Sequence, residues 1–227
     1  MTRAEFAPGL WLDSRRAVFF EAFRLLVVSD LHWGYATSHR ARGNLLPDWG
    51  DDAIAASLDA LLNDYQPSRM LWLGDSLHTL RGRLNAERFL AANAALPTTI
   101  LPGNHDRRWS LVHTEPHVLH GHYFFHHGDS AREFPPGHIE VIGHHHPAFN
   151  WSDGAGARLK IPALVVSEHR LVLPAFSPWA AGAGWRLTAS EKLWLVSPKR
   201  VFAFAPERLP ARRALPGTFT YPRPPRG

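Results

Sequence analysis

The feature that most constrains the fold is a regular alternation of short apolar runs and helical patterns in the first half of the chain. Apolar runs at residues 24–29, 70–73 and 98–101 each have the length of a buried strand. Between them, apolar positions recur at helical spacing from about residue 51 to 65 and from about 85 to 95. This order implies parallel strands joined by crossover helices. In such sheets, functional groups lie just past the carboxyl ends of the strands.

The second half of the chain has a different pattern, because helical spacing fades after residue 115 and short strand candidates follow. These candidates lie at residues 122–126, 139–142, 164–166, 170–173, 193–196 and 201–204. The chain has 227 residues, of which 45% are apolar and 20% are charged, as in globular proteins with one sizeable core. We therefore expect a single domain over residues 1–205.

The net charge of +5 is concentrated near the carboxyl end of the chain. Residues 1–195 hold 18 basic and 19 acidic side chains, whereas residues 196–227 hold 7 basic and 1 acidic. We expect residues 206–227 to form a basic, Pro-rich tail. Such a tail could make salt-dependent contacts with nucleic-acid phosphates, act as a solubilising appendage, or contact another subunit.

Several classes of protein are disfavoured by what the sequence lacks. No apolar run approaches the roughly 18 residues of a membrane-spanning helix. Glu5 and Asp13 stand where a signal peptide would need a basic patch and an unbroken apolar run. The absence of cysteine excludes disulfides, zinc–thiolate sites and thiol nucleophiles. We expect a cytoplasmic protein that does not associate with a membrane.

Metal-competent side chains directly follow five of the predicted strands. In chain order they are Asp30, His32, Asp75, Asn104, His105, His127, His144 and His146. Imidazole, carboxylate and amide donors without thiolate suit manganese, iron or zinc. With His105 left aside, seven ligands exceed one tetrahedral site and match two adjacent sites that share a carboxylate. We expect two divalent ions, manganese first, with iron or zinc as alternatives.

Two of these fragments have informative spacing. In residues 103–106, Gly-Asn-His-Asp, the glycine lets the backbone turn sharply and leaves two side chains facing one point. In residues 143–146, Gly-His-His-His, alternation along an extended segment predicts that His144 and His146 lie on the same side. A metal pair held in this way would lower the pKa of a shared water to give a bridging hydroxide, and would clamp phosphoryl oxygens.

The ordered set resembles the signature of the calcineurin-like metallophosphoesterases. The matching fragments are Asp30-Leu31-His32, Gly74-Asp75, Gly103-Asn104-His105-Asp106, His127-Gly128 and Gly143-His144-His145-His146. The resemblance implies a four-layer αββα sandwich of two mixed β-sheets flanked by helices. It also favours His127 over its neighbour His126 as the fourth-motif ligand, because His127 precedes the glycine. One metal would take Asp30, His32, Asp75 and His146, and the other would take Asp75, Asn104, His127 and His144.

A narrower resemblance covers about residues 10–205. The chain looks like the bacterial DNA-ligase-associated metallophosphoesterases (PdeM-type, related to the SbcD nuclease subunit). The stretches that carry it include DLHWGYATSHRARGNLLPDWG, LGDSLHT, GHHHPAF, LKIPALVV and LVLPAFSPWAAGAGW. This resemblance implies a role in DNA repair, with DNA as substrate and DNA ligase or helicase partners.

Further residues beside the motifs have expected roles. His105, as an imidazolium, would protonate the leaving alkoxide, and Asp106 would orient it. His78 could be structural or could support the metals. Trp33 and Trp109 could pack in the core or stack on a base. Arginines that could bind phosphate, or could simply be solvated, are Arg40, Arg42, Arg107 and Arg108.

Three functions remain open from the sequence. The first is a dinuclear-metal phosphodiesterase, a nuclease in DNA repair. The second is a small-molecule phosphohydrolase that acts on nucleotides or a lipid-precursor pyrophosphate, since one metal site hydrolyses many esters. An extended basic groove would favour the first and a deep apolar pocket the second. The third is a non-catalytic binding module of the same fold, which the retained His105 and the complete ligand set disfavour.

Overall fold

A computed structural model of the chain describes residues 2–106, 108–180 and 182–204. Within these residues the chain forms fifteen strands and three α-helices. The strands make two mixed sheets, one of six strands and one of nine. No helix among the described residues is long and apolar enough to cross a membrane.

The first sheet is built from the amino-terminal part of the chain in sequence order. Its strands are β1 (Arg3–Ala7), β2 (Leu10–Asp13), β3 (Val18–Phe20), β4 (Leu25–Val28), β5 (Arg69–Trp72) and β6 (Thr98–Ile100). The strands β1 to β4 pair antiparallel, whereas β4, β5 and β6 run parallel. The three parallel strands therefore end at the same edge of the sheet.

The second sheet contains the remaining strands. They are β7 (His117–His120), β8 (Tyr123–His126), β9 (Ile139–Ile142), β10 (Pro147–Ser152), β11 (Arg158–Val166), β12 (Arg170–Val172), β13 (Ala183–Gly184), β14 (Lys192–Ser197) and β15 (Arg200–Phe204). Parallel pairing joins β8 to β9 and β9 to β12. The long strand β11 pairs with β10 through its first half and with β12 and β14 through its second half.

The helices all belong to the first half of the described chain. They are α1 (Tyr35–Arg40), α2 (Gly50–Tyr65) and α3 (Arg83–Ala92), with short 3-10 turns at Glu21–Phe23 and Leu80–Gly82. Apolar side chains of α2 and α3, among them Leu58 and Phe89, pack against the outer face of β4, β5 and β6. This packing covers the first sheet on the side away from the second sheet.

Side chains alternate between two cores along the parallel strands. In β4, Leu26 and Val28 face the helices, whereas Leu25 and Val27 face the second sheet. The core between the sheets also includes Phe125 and Leu164, which are contributed by β8 and β11. Each fully buried aliphatic side chain stabilises the fold by about 1.5–3 kcal/mol. The two sheets are therefore held face to face by a continuous apolar layer.

The two mixed sheets confirm the predicted fold class, with differences in detail. Among the described residues, helices cover only the first sheet, and side chains such as Phe149, Trp185 and Phe204 pack on the outer face of the second. The antiparallel strands β1 to β3 were not predicted, because they are short and broken by turns at Gly9 and Arg16, both with positive φ. The predicted tail at 206–227 lies outside the described residues and stays a prediction.

Candidate metal centre

The predicted ligands follow strands of both sheets. Asp30 and His32 follow β4, Asp75 follows β5, and Asn104 follows β6 in the first sheet. In the second sheet, His127 follows β8, and His144 and His146 follow β9. Two of these loops run side by side, since the amide of His32 donates to the carbonyl of Asp75 at 3.0 Å. The carboxyl ends of parallel strands thus bring the seven side chains to one place.

A first cluster combines Asp30, His32 and His146, whose ligand atoms all lie within 4.8 Å of one another. Oδ1 of Asp30 lies 3.0 Å from Nε2 of His146. The Ser29 hydroxyl and the backbone amide of His144 donate to the carboxylate of Asp30, at 2.5 and 3.0 Å. These bonds orient a fully buried carboxylate toward the two imidazoles.

A second cluster combines Asp75, His127 and His144, again within 4.8 Å. Nε2 of His127 lies 3.4 Å from Oδ1 of Asp75, 3.2 Å from Nδ1 of His144 and 3.3 Å from Oδ1 of Asn104. Nδ1 of His127 donates to the carbonyl of Leu73 at 2.7 Å. That bond selects the tautomer in which Nε2 carries a lone pair for a ligand.

Most of the clustered residues have a strained backbone. Five of the eight non-glycine residues with positive φ in the described chain are Asp30, His32, Asp75, His144 and His146. The left-handed region is costly for such residues, and strain of this kind concentrates at functional sites. The expected extended alternation at 143–146 is corrected by this finding: each of the two imidazoles turns toward a different cluster.

Glycines make room for the carboxylates. A Cβ on Gly103 would lie 2.1 Å from the amide nitrogen of Asp75 and 2.3 Å from its Oδ1. A Cβ on Gly143 would lie 1.6 Å from Oγ of Ser29, the hydroxyl that orients Asp30. The glycines of the motifs are therefore required by close approach at the ends of both sheets.

The protonation states of the clustered groups suit metal ligation in part. Burial would raise the pKa of Asp75, but the hydrogen bond and charge of His127, the His105 amide and the charge of His32 together outweigh burial and lower that pKa to about 2. Burial lowers the pKa of His32 to about 4, so that its ring is neutral at pH 7. Burial also lowers the pKa of His127, but the Asp75 and Asp30 carboxylates outweigh it and raise that pKa to about 9. A proton therefore competes with a cation for Nε2 of His127.

The donor set fits divalent metal ions. Nδ1 of His32 is buried and has no hydrogen-bond partner among the described residues. A buried polar atom of this kind costs free energy unless a ligand engages it. The nitrogen and oxygen donors around it match manganese, iron or zinc rather than a soft thiophilic ion.

His105 lies beside the metal-competent clusters. Its side chain is 34% exposed, and its Nε2 lies 3.9 Å from Oδ2 of Asp75. Nδ1 of His105 donates to the carbonyl of His78 at 2.9 Å. The two rings stack with centroids 5.3 Å apart, and His32, His78 and His105 form a third group of close nitrogen atoms. His78 thus contacts the site from the loop after Asp75.

Asp106 makes different contacts from those expected. Its buried carboxylate accepts hydrogen bonds from the backbone amides of Ser76, Leu77 and Gly103, at 2.9–3.1 Å. The His105 ring is instead oriented by the carbonyl of His78. Burial raises the pKa of Asp106 despite the three amides. Asp106 therefore joins the loops that carry Asp75 and Asn104 to each other.

The structure gives the positions of neighbouring residues whose roles the sequence left open. His126 is buried and its Nε2 lies 2.8 Å from Oε1 of Glu140, whereas His127 belongs to the second cluster. Trp33 and Trp109 are 1% and 4% exposed and pack in the helix-side core. Stacking of either tryptophan on a base is thereby excluded, and its place in the core is confirmed.

A cleft opens beside His105. Its volume is about 550 Å³, and it is lined by Ser38, Ala41, Arg42, Thr79, Leu80, Arg81, His105 and Arg108. Of the arginines that the sequence singled out, Arg42 and Arg108 line this cleft. Arg40 donates to the carbonyl of Leu46, and Arg107 lies outside the described residues. Arg81 was missed, because the only signal was its place six residues after Asp75.

Two facing sheets with clustered histidines and aspartates at their strand ends define a metal-dependent phosphoesterase. The sequence profile of the calcineurin-like phosphoesterases matches residues 23–174, and the chain belongs to this family of hydrolases. The broader of the two resemblances is confirmed by this match. Among curated proteins, none matches the sequence at a significant level.

Two solved structures resemble the fold. The crystal structure of Pseudomonas putida nuclease MPE has a TM-score of 0.70 and 28% identity, and the match covers 89% of this chain and 98% of that one. YfcE, a phosphoesterase from E. coli, has a TM-score of 0.44 and 18% identity, and that match covers 79% of this chain and 96% of the other. The similarity to the nuclease thus extends over nearly the whole described domain.

Proposed function

We propose that the chain is a dinuclear-metal phosphodiesterase that cleaves nucleic acid. The observation that carries this proposal is the pair of clusters, Asp30 with His32 and His146, and Asp75 with His127 and His144. Each cluster has the ligand number and donor types of one divalent site. Asp75 interacts electrostatically with both His32 and His127, as a shared ligand would.

The proposed ligands divide between the two ions. The first ion would be held by Asp30, His32, Asp75 and His146. The second would be held by Asp75, Asn104, His127 and His144. When bound, two such ions supply Lewis acidity, which activates water as a nucleophile and neutralises charge on the phosphoryl oxygens. We propose manganese, with iron and zinc as alternatives, because all the donors are nitrogen or oxygen.

His105 is proposed as the catalytic general acid. The Nδ1–H of His105 is engaged by the His78 carbonyl, so in the imidazolium form Nε2 is the atom whose proton can be donated. One third of its side chain is exposed, which lets a substrate oxygen approach it. Transfer of this proton to the leaving alkoxide would remove the need to expel a charged alkoxide.

The remaining predicted residues are proposed as positioning and binding groups. Asp106 would hold the loops of Asp75 and Asn104 in register through its three backbone contacts. Arg108 faces the cleft beside His105 and would contact a substrate phosphate, since a guanidinium binds phosphate bidentately. Arg40 and Arg107, which lie beside the motifs in the sequence, are proposed as further phosphate-binding residues.

A nuclease in DNA repair is proposed as the cellular role. The support is the similarity to the Pseudomonas putida nuclease over most of both chains, together with the motif stretches of the DNA-ligase-associated type. On this reading DNA is the substrate, and a DNA ligase or helicase is the functional partner. The class of enzyme rests on the clusters, whereas the substrate rests on this similarity.

The proposal is tested with a panel of substrates. The purified protein is assayed with manganese, and in parallel with chelator, on a phosphomonoester, bis(p-nitrophenyl) phosphate, single- and double-stranded DNA and a nucleotide. We expect metal-dependent cleavage of the diester and of DNA, and at least a hundredfold loss in D75N. The matched control is D59N, which changes an exposed carboxylate on α2. Hydrolysis of the nucleotide alone would overturn the proposed substrate.

A further inference from the structure

The cleft beside His105 has more cationic groups than the hydrolysis of one phosphate requires. Arg42, Arg81 and Arg108 line it together with His105, and no carboxylate is among its lining residues. The described structure pairs none of these three guanidinium groups with an acidic side chain in an ion pair. The cleft is therefore a concentration of unneutralised positive charge at the border of the catalytic site.

The walls of the cleft also include other chemistry. Ser38 and Thr79 contribute hydroxyls, and Ala41 and Leu80 contribute apolar surface. Leu80 is 48% exposed, although a leucine is usually buried. A ligand that presents only phosphate, such as inorganic phosphate, would leave this apolar surface unused. A nucleotide unit carries both an anionic phosphate and apolar base and sugar faces.

The geometry of the cleft is fixed by the fold. Its walls are the carboxyl end of α1 and the turn Leu80–Gly82. A Cβ on Gly34, just before the amino end of α1, would lie 2.4 Å from the amide nitrogen of Gly82, so the turn also packs closely against the start of this helix. The hydroxyls of Ser38 and Thr79 are 2.6 Å apart, which ties the walls together. A cleft of this kind is preorganised and loses little entropy when a ligand binds.

We propose that this cleft binds the phosphates next to the scissile one in a polynucleotide, through Arg42, Arg81 and Arg108. The inference rests on the proposed function and specifies its substrate. His105 lines both the cleft and the metal centre, so a chain whose scissile phosphate is at the metals continues directly into the cleft. Arginine matches phosphate oxygens with two parallel hydrogen bonds.

The proposal separates two kinds of substrate. A small diester such as bis(p-nitrophenyl) phosphate has no second phosphate and would contact only the metal centre. An oligonucleotide would gain contacts with the cleft, and each contact releases counterions. For a single strand, the slope of log affinity against log salt changes by about 0.7 per phosphate contact. The three arginines should therefore control oligonucleotide affinity and its salt dependence, and Arg42 and Arg81 should do so without changing the basal reaction.

The experiment compares the wild type, R42Q, R81Q, R108Q, the double variant R42Q/R81Q and the triple variant with manganese bound. The substrates are bis(p-nitrophenyl) phosphate, a p-nitrophenyl ester of thymidine monophosphate and a labelled single-stranded oligothymidylate. In the triple variant we expect a KM for the oligonucleotide at least tenfold higher, and a salt slope reduced by about 2. The kcat/KM of the double variant R42Q/R81Q for the small diester should stay within twofold. The control R69Q changes an exposed arginine at the opposite end of β5.

Each other outcome has a defined meaning. An unchanged KM and salt slope in the triple variant would overturn the proposal. Equal losses on the small diester and the oligonucleotide in R42Q/R81Q would also overturn it, because these arginines would then serve the reaction itself. An equally large increase in KM for the thymidine monophosphate ester in the triple variant would overturn the proposal, because the cleft would then bind a single nucleotide. If the wild type cleaves nothing, the proposed function fails, and oligonucleotide binding by fluorescence anisotropy then tests the cleft separately.

Discussion

Nε2 of His127 lies 3.4 Å from Oδ1 of Asp75, although the two residues follow strands of different sheets. Asp75 follows β5 in the six-stranded sheet, and His127 follows β8 in the nine-stranded one. The ring of His127 is anchored to the first sheet as well, through the carbonyl of Leu73. The metal-competent site is therefore a junction between the sheets, and it depends on their relative position.

Metal binding should stabilise this junction. A ligand that binds only the folded state stabilises it by about 2.7 kcal/mol at one hundred times its Kd. We expect manganese to raise the Tm of the wild type and of D59N by several degrees, measured by differential scanning fluorimetry. D75N should lose most of this increase, since Asp75 belongs to the second cluster and interacts electrostatically with His32 of the first. An equal increase in D75N would show that the ion binds elsewhere.

Metal affinity should depend on pH through His127. The pKa of His127 is raised to about 9, so at neutral pH its ring is protonated and a cation must displace the proton. Affinity should therefore increase from pH 6 to pH 8, by about tenfold per pH unit for one proton released. Calorimetric titration in two buffers of different ionisation enthalpy measures this proton. Release of no proton across this range would contradict the expectation.

His105→Ala should separate proton transfer from metal binding. Without the general acid, turnover should fall by about 10²- to 10⁴-fold on an ester with a poor leaving group. The loss should be much smaller on p-nitrophenyl esters, because nitrophenolate leaves without protonation. Manganese affinity should be retained. H122Q, which changes an exposed histidine before β8, is the control. Equal losses on both esters would assign His105 a role other than acid.

Gly103→Ala should damage the site through packing alone. The new Cβ would lie 2.1 Å from the Asp75 amide nitrogen and 2.3 Å from its carboxylate, so Asp75 must move. We expect loss of activity and weaker manganese binding in a folded protein, measured by calorimetry and circular dichroism. The control is Gly154→Ala, where nothing lies within 4 Å of the added methyl group and only backbone strain at the φ of +77° acts, far from the site. Normal metal binding in Gly103→Ala would contradict the close approach.

Glu140 should stabilise the second sheet without affecting the metals. Its buried carboxylate pairs with His126 at 2.8 Å and with Arg170. Glu140→Gln should lower the free energy of unfolding by about 1–3 kcal/mol, measured by urea denaturation. Manganese binding should be unchanged. A loss of metal binding in this variant would mean that His126 is a ligand.

The contribution of the Glu140 carboxylate to folding stability should depend on pH with a definite sign. Burial would raise the pKa of Glu140, but His126 and Arg170 outweigh it and hold that pKa below the ordinary value of 4.5. The stabilisation is therefore present above about pH 4.5 and is lost as pH falls through the lower pKa of the folded state. The difference in stability between wild type and Glu140→Gln should shrink with acidification over this range. A constant difference would contradict the direction of the shift.

Much of the fold could be predicted, because parallel strands buried on both faces are continuous apolar runs. The runs that became β4, β5 and β6 were found in this way, as were the helical patterns of α2 and α3. The antiparallel strands β1 to β3 were missed, since strands of three to five residues between turns have too little periodicity. Their pairing is decided by contacts with β4 and the second sheet.

The sequence by itself determined the types of the metal-competent side chains and their order along the chain, because each follows a recognisable strand or glycine turn. Apart from the family resemblance, which favours His127, it could not decide between His126 and His127, because neighbouring side chains on a strand point to opposite sides and only packing shows which side is occupied. Glu140 pairs with the ring of His126, whereas Asp75 lies against the ring of His127. The contacts of Asp106 and the cleft with Arg81 were likewise decided only by the tertiary structure, because they join loops that are distant in sequence.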